Sequence, residues 1–336
     1  MCWKQINVLL IVAEFVGMFA GCSATPTATK QETVVFATRV ALTVVDAPPA
    51  TANAAIAAVF AHFSDMHRRF HPWRNGELQR LNQAIAAEEL PYTVSAPMAA
   101  MILQAQRYAA ASEQLFNPAI GALVRLWGFH AEVLPTAAPA PAAIADWLAQ
   151  QPNMAAVQLV GERVVAAPPA VQLDFGALAK GVALDEARAI LLQHGVTNAL
   201  IDIGGNIMAL GTQYGRPWRV ALAPDRSQPP LATVDLYDGE AVATSGDSVR
   251  YFIADGKRYH HILDPRSGSP AAQTTAAIVI VGGKNAGALS DATATALVIA
   301  EAALAERILQ TLNITLAWQQ GNKPTAAMLQ RITKEE

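Results

Sequence analysis

Both cysteines of this chain, Cys2 and Cys22, fall before residue 23. Everything beyond them must fold without a disulfide and without a cysteine-held metal, so it rests on the burial of apolar side chains. The means are present. The chain has 336 residues, of which 52% are hydrophobic and 15% charged, enough for one large domain or two closely joined ones. A net charge of −3 gives no basic footprint, which argues against nucleic acid as a partner.

Cys22 closes an apolar stretch, Ile6 to Ala20, in the context Phe19-Ala20-Gly21-Cys22. Small residues before a cysteine at the end of a short apolar run resemble a bacterial lipoprotein signal, in which that cysteine becomes the lipidated first residue of the mature chain. A plain signal peptide and a single membrane anchor are the alternatives. Lys4 is the only basic residue ahead of the run, Glu14 interrupts it, and the run is short for a span. The expected organisation is a lipoprotein signal peptide over 1–22 with Cys22 as the lipidation site, a small and polar tether over 23–33, and a folded domain over 34–330. That places the domain on the periplasmic side of a bacterial membrane, held there by a lipid anchor.

Within the folded part, strand and helix signals alternate irregularly. Val34 to Val45 is β-branched and alternating, and reads as one strand. Asn53 to Phe70 and Pro97 to Ser112 have helical spacing. Val157 to Ala166 reads as a hairpin, and Ala179 to His194 as a helix closed by Gly195. Asn198 to Ile203, Ile207 to Gly211, Trp218 to Ala223, Ala232 to Leu236, Glu240 to Thr244, Ala276 to Val281 and Thr315 to Gln319 read as strands. Ser290 to Leu304 reads as a helix with Ser290 as its N-cap. No regular βαβ beat emerges, so the expected class is α+β, mixed sheets with packed helices.

Three segments carry the chemistry. Asp174-Phe-Gly-Ala-Leu-Ala-Lys180-Gly181 runs a carboxylate, small residues and a lysine into a helix start, a place suited to phosphate. Ser290-Asp291-Ala-Thr-Ala-Thr295 sets a carboxylate and a hydroxyl four residues apart, on one helix face, as two hard oxygen ligands for a metal such as magnesium; an ordinary capped helix is the alternative. Tyr259-His260-His261-Ile-Leu-Asp264-Pro-Arg-Ser-Gly268 ends a strand in two histidines, of which only one can face a site, as a candidate acid or base. Thr244-Ser245-Gly246 adds hydroxyls at a strand end. Phe116-Asn117-Pro118 and Leu126-Trp127-Gly128-Phe129 set aromatics beside loops.

Taken in order, these pieces resemble the FAD:protein FMN transferase (ApbE) family. The likeness extends from about Phe36 to about Ala300. It rests on Trp73-Arg-Asn-Gly-Glu-Leu-Gln-Arg-Leu-Asn82, Phe116 to Gly121, Leu126 to Phe129, Ala177 to Gly181 with Asp185, Asp202-Ile-Gly-Gly205, Ala243 to Gly246, His261 to Pro265 and Asp291 to Thr295. The resemblance implies an ApbE/T-fold-like architecture and roles for residues. Asp291 and Thr295 would be magnesium ligands, joined by the backbone oxygen of Ala177, with Ala294 in the same shell. Asp174, Lys180, Asp185, Thr244 and Ser245 would contact FAD. Trp73 with Leu115, Phe116 and Asn117 would surround the flavin ring. His261, with Ile262, would lie beside the reacting phosphate, His261 and Asp291 being the catalytic pair. Where many members carry Met-Gly-Thr on the first strand, this chain carries Phe36-Ala37-Thr38.

The implied activity is magnesium-dependent transfer of FMN from FAD to a threonine or serine hydroxyl of a partner flavoprotein, with AMP released. Two rivals stand beside it. An FAD pyrophosphatase would use water instead of a protein hydroxyl. A non-catalytic FAD-binding lipoprotein would need no metal pair.

Overall fold

The computed structural model describes residues 28–223, 229–320 and 326–333. Seven strands form its central sheet: β1 (Ala28–Val35), β2 (Thr38–Val45), β3 (Ala199–Ile203), β4 (Asn206–Leu210), β5 (Glu240–Gly246), β6 (Ala276–Gly282) and β7 (Leu316–Gln319). They lie side by side in chain order, each antiparallel to the next. The helices and smaller sheets are excursions from this meander. Between β2 and β3 come α1 (Pro49–Phe70), α2 (Glu77–Ala86), α3 (Ala96–Ala111) and α4 (Ala179–Gln193), and between β6 and β7 comes α5 (Ala286–Ile299). The class is the expected α+β.

Strand alternation gives the sheet two apolar faces. One face, with Leu42, Ile201, Met208, Ala243 and Val279, packs under the helices in the main core. The other, with Ala209, Val242, Ile278 and Ile280, is covered by Trp218, Val220, Leu222, Val234 and Leu236. Those covering residues belong to the antiparallel pair Trp218–Leu222 and Ala232–Leu236. A third cluster gathers Leu123, Trp127, Phe129 and Trp147 around Phe252 and Ala254 of the hairpin Tyr251–Ala254/Lys257–His260.

α5 is apolar nearly all round, as a helix enclosed on every side must be. Of its fourteen residues only Leu289 and Thr295 escape full burial. It meets α4 at a backbone-to-backbone contact. A Cβ on Gly181 would stand 2.3 Å from the Gly287 carbonyl oxygen, and a Cβ on Gly287 would stand 2.3 Å from the Gly181 oxygen. Glycine is the residue that lets two helix backbones come this close.

The sequence expectations need three corrections. The strand expected over Val34 to Val45 is a hairpin, broken at Phe36 and Ala37, which both adopt the left-handed region (φ 54° and 56°). The tether expected over 23–33 ends early, because Ala28 to Thr33 pair with β2 along the sheet edge. The helix expected from Ser290 begins at Ala286, and Ser290 is wholly buried inside it, donating to the Gly287 carbonyl at 3.0 Å. Cys22 and the signal segment lie outside the described residues.

The glycine contact fixes an expected outcome. Gly287→Ala should lower the urea midpoint of unfolding by an amount worth about 1–3 kcal/mol, the usual cost of overpacking. Val281→Ala, at a half-buried strand end, is the comparison. Equal midpoints for Gly287→Ala and the parent chain would show that the helices can separate freely.

Candidate active site

Neither α4 nor α5 caps its own N-terminus with a side chain. Each takes a carboxylate from the other. Asp291 of α5 accepts from the Gly181 N–H of α4 at 3.0 Å. Asp185 of α4 accepts from the Gly287 and Ala288 N–H groups of α5, both at 2.9 Å. The two halves match in sequence, Gly181-x-x-x-Asp185 and Gly287-x-x-x-Asp291. Each glycine offers the N–H and each aspartate, one turn on, reaches across the crossing.

The halves differ in what else touches the carboxylate. Asp291 is 1% exposed and receives Asn206 Nδ2 at 2.7 Å and Lys180 Nζ at 3.3 Å beside the Gly181 N–H. A buried carboxylate is tolerated when it is paired and hydrogen-bonded in this way. Asp185 has Ala286 where Asp291 has Lys180, and burial pushes its carboxyl up to about 6, against the two N–H bonds that lower it. Asp185 therefore anchors α5 through both oxygens. That corrects its expected role as an FAD contact.

The Gly181 N–H has a consequence one turn back. In a regular helix it would bond the carbonyl of Ala177, four residues before. It goes to Asp291 instead, while the Val182 N–H takes Leu178 and the Ala179 N–H takes Phe175. The Ala177 carbonyl is left without that helical partner at the helix mouth. The same bonding corrects the expectation that this helix start holds phosphate through its N–H groups, since most of them are spoken for. Lys180, whose Nζ also reaches the Gly176 carbonyl at 3.3 Å, is the cationic group there.

Thr295 lies one turn beyond Asp291, on the same face as expected. Its hydroxyl donates to the Asp291 carbonyl at 3.2 Å and lies 3.2 Å from Ser245 Oγ at the end of β5. Thr244 is tied in through its N–H, which reaches Asn206 Oδ1 at 3.4 Å. Ala294 is fully buried within α5, so its methyl packs and its side chain supplies no ligand atom. Asp174 closes the loop into α4 by accepting from the Gly176 N–H at 2.8 Å, and burial raises its pKa above the usual carboxylate value. The segment before it is stapled to α2: Asn82 Nδ2 donates to the Leu173 carbonyl and Asn82 Oδ1 accepts the Leu173 N–H, at 2.9 and 2.8 Å.

The donor set fits a magnesium-type site. No group of three or more His, Cys, Asp or Glu side chains converges anywhere among the described residues, so a zinc-like cage is absent there. One carboxylate, one hydroxyl and one released carbonyl are hard oxygens, too few to enclose an ion alone. That is the arrangement magnesium uses when substrate phosphates complete its shell.

The two histidines part as expected. His260 is buried and both ring nitrogens are used, Nε2–H donating to the Ala271 carbonyl at 2.8 Å and Nδ1 accepting the Ile262 N–H at 3.3 Å. His261 faces the other way. Its Nδ1 lies 3.2 Å from the Arg250 carbonyl, which can only accept, so Nδ1 carries the proton and Nε2 the lone pair. Burial pushes the His261 pKa down to about 4, helped by His260, Lys180 and Arg250 nearby and opposed by the Nδ1 bond. Ile262 is buried in the main core.

Trp73 lies apart from the carboxylate. It lines a cavity of about 560 Å³ with Arg125, His130 and Trp147, its ring 5.3 Å from that of His130. The link to His261 runs through the neighbouring Phe129, whose ring is 6.4 Å from the imidazole, edge-on. Leu115 and Phe116 are core residues, 1% and 2% exposed, so their side chains do not line a flavin-sized space. Asn117 is spent on loop structure, bonding the Pro152 carbonyl and the Ala119 N–H, both at 3.0 Å. The side chains of these three support the loops around them. Sequence reasoning missed Asn206 and Arg250. The signal for Asn206 was its place directly after the Gly204-Gly205 turn. Arg250 had none.

The ApbE family profile matches residues 36–318 of the chain. A Rhodobacter capsulatus protein named FAD:protein FMN transferase is 42% identical over 266 residues, 79% of this chain and 50% of that protein. A Treponema pallidum protein of the same name is 35% identical over 240 residues, 67% of this chain and 66% of that one. The chain thus spans about half the length of the first relative and about two thirds of the second. Among solved structures, the ApbE protein of Thermotoga maritima superposes with a TM-score of 0.81 at 25% identity, over 92% of this chain and all of that one. The Pseudomonas stutzeri flavinyl transferase ApbE, at 24% identity, shares the fold with a TM-score of 0.77 over 93% of this chain and 98% of that one.

The His261 geometry makes a pH prediction. Its folded pKa lies below the ordinary 6.5, so on acidification the unfolded chain takes the proton first. The stability this site contributes is complete above pH 6.5 and declines as pH falls toward 4. An NMR titration should place the His261 midpoint near 4; a midpoint near 6.5 would mean the ring is solvated.

Proposed function

The chain belongs to the ApbE family, by a profile match over most of its length, and we propose that it is a magnesium-dependent FAD:protein FMN transferase. The observation that supports the reading is the placing of Asp291 and Thr295 one turn apart on α5, with Lys180 on the Asp291 carboxylate and the Ala177 carbonyl unclaimed by the Gly181 N–H that Asp291 takes.

Asp291, Thr295 and the Ala177 carbonyl would hold Mg2+, which supplies charge neutralisation at the diphosphate of FAD when bound. Lys180 would add a point charge toward the same phosphates. Trp73 and His130 would offer flat faces to the flavin ring. In the transfer step the hydroxyl oxygen of a threonine or serine on the acceptor protein bonds to the FMN phosphorus. The phosphorus–oxygen bond to AMP breaks, AMP departs, and the hydroxyl proton goes to His261 Nε2. The ring is neutral at physiological pH and its lone pair is on Nε2, which leaves that nitrogen open to the proton. Asp291, with its lone pairs turned to donors and metal, is the poorer base.

Incubation with FAD, Mg2+ and a flavoprotein subunit made without its flavin should give a fluorescent protein band and AMP together. His261→Ala should slow labelling by roughly 10²–10⁴-fold, and Asp291→Ala should abolish it and its dependence on Mg2+. AMP and free FMN without a labelled protein would assign the chain to FAD hydrolysis. FAD bound with no AMP at all would leave only a flavin-binding role.

We further propose that Cys22 carries a lipid and that the domain works on the periplasmic side of a bacterial membrane. Expressed in a bacterium, the chain should fractionate with membranes and incorporate labelled palmitate, and Cys22→Ala should lose both. Membrane association that survives Cys22→Ala would overturn the anchor.

A further inference from the structure

Resting on the transferase reading, we propose that Arg250 is a positioning residue for the transfer step: it seats His261 and pins the aromatic loop beside it. Arg250 immediately precedes the hairpin that begins at Tyr251, and His261 immediately follows the strand that ends at His260. The hairpin brings the two together. The Arg250 carbonyl accepts both the His261 N–H, at 3.1 Å, and the His261 Nδ1–H, at 3.2 Å. One main-chain oxygen thus fixes the backbone of His261, its ring orientation and its tautomer.

The position of that oxygen is set in turn by the Arg250 side chain. Nε–H donates to the Phe129 carbonyl at 3.1 Å, and Nη2–H donates to the Ala131 carbonyl. These carbonyls flank His130, which lines the cavity with Trp73, and Phe129 sets its ring edge-on to His261 and 5.7 Å from Phe252. Arg250 is therefore the tie between the loop on the flavin side and the histidine. Charge balance is not its task. The nearby Asp247 pairs with Arg258, and no carboxylate pairs with Arg250 among the described residues. What the position needs is two N–H groups in a fixed fork, which guanidinium provides and an ammonium does not.

The test compares Arg250→Met and Arg250→Lys with the parent chain, each alone and in a His261→Ala background. One readout is transfer from FAD to the flavin-free subunit. The other is the tautomer of His261 by 15N NMR of histidine-labelled protein. The parent should show Nδ1 protonated and Nε2 bare. Arg250→Met should mix the two tautomers and lower kcat at least about tenfold, with the KM for FAD within about threefold. Arg250→Lys, keeping length and charge, should fall between. In the His261→Ala background Arg250→Met should cost little more, because a residue acting through His261 has nothing left to position.

A parent-like tautomer and kcat in Arg250→Met would overturn the proposal, as would an equal loss in both backgrounds. If Arg250→Met does not fold, Arg250→Lys carries the comparison. If His261→Ala has no measurable rate, the tautomer decides. Absence of transfer by the parent chain, with the tautomer shift intact, would sink the transferase reading and leave the seating of His261 standing.

Discussion

The contact on which the site depends is the crossing of α4 and α5 at two glycines. Without Cβ atoms at Gly181 and Gly287 the helices approach closely enough for an aspartate on each to reach the other's open N–H groups. Helix N-termini buried without capping partners are costly, and here the caps come only with the crossing. Packing and capping are thus one event. The arrangement is nearly two-fold in its sequence, Gly-x-x-x-Asp against Gly-x-x-x-Asp, yet only one half gathers further polar side chains. The difference is local. Lys180 and Asn206 attend Asp291, while Ala286 stands at the matching place beside Asp185. A buried carboxylate given a cation and an amide has partners that offset its desolvation. One given N–H groups alone is pushed toward protonation by burial.

A second constraint acts on the histidine side. The strand Lys257–His260 ends with adjacent histidines whose side chains must point to opposite faces. The inward ring, His260, uses both nitrogens on main chain, so it can neither titrate freely nor act. That spends one imidazole to anchor the strand end and leaves the other with a single free nitrogen. The aromatic stack beneath the hairpin, Trp127, Phe129, Phe252 and Tyr259, makes the platform rigid and dry. Dryness lowers the His261 pKa, and a lowered pKa keeps the ring in its acceptor state.

Much of this was legible along the chain, and the failures share a cause. Periodicity located α1, α3, α4 and the strands β3 to β7 of the main sheet to within a few residues, because their apolar faces are written locally. Ser290 misled because it looks like an N-cap and the true cap, Asp185, is about a hundred residues away. The β1–β2 turn was hidden because Phe36 and Ala37 are not turn formers. Phe36 packs its ring 5.7 Å from Phe63 instead, which offsets the left-handed backbone. In the Leu115-Phe116-Asn117 segment the side chains are buried and hold up the loops, a role that the motif itself does not display. Asp291, Thr295, Lys180 and His261 were within reach of sequence because each sits in a short pattern. Asn206 was marked only by the glycine turn before it and Arg250 by nothing, since their partners lie on other elements of the chain.

A site with one carboxylate needs no cluster of acidic side chains, and none converges among the described residues. Asp291 does two things with one group. It offers an oxygen, and by drawing away the Gly181 N–H it prevents the Ala177 carbonyl from closing the first turn of α4. Loss of Asp291 therefore does not subtract a single ligand. A Gly181 N–H bonded to Ala177 instead would extend α4 by one residue, and the Ala177 carbonyl would no longer be open. Thr295 would keep its place on α5 but lose both neighbours. The site is thus assembled by a bond that is not made, and that bond is controlled from a residue 114 positions further along the chain.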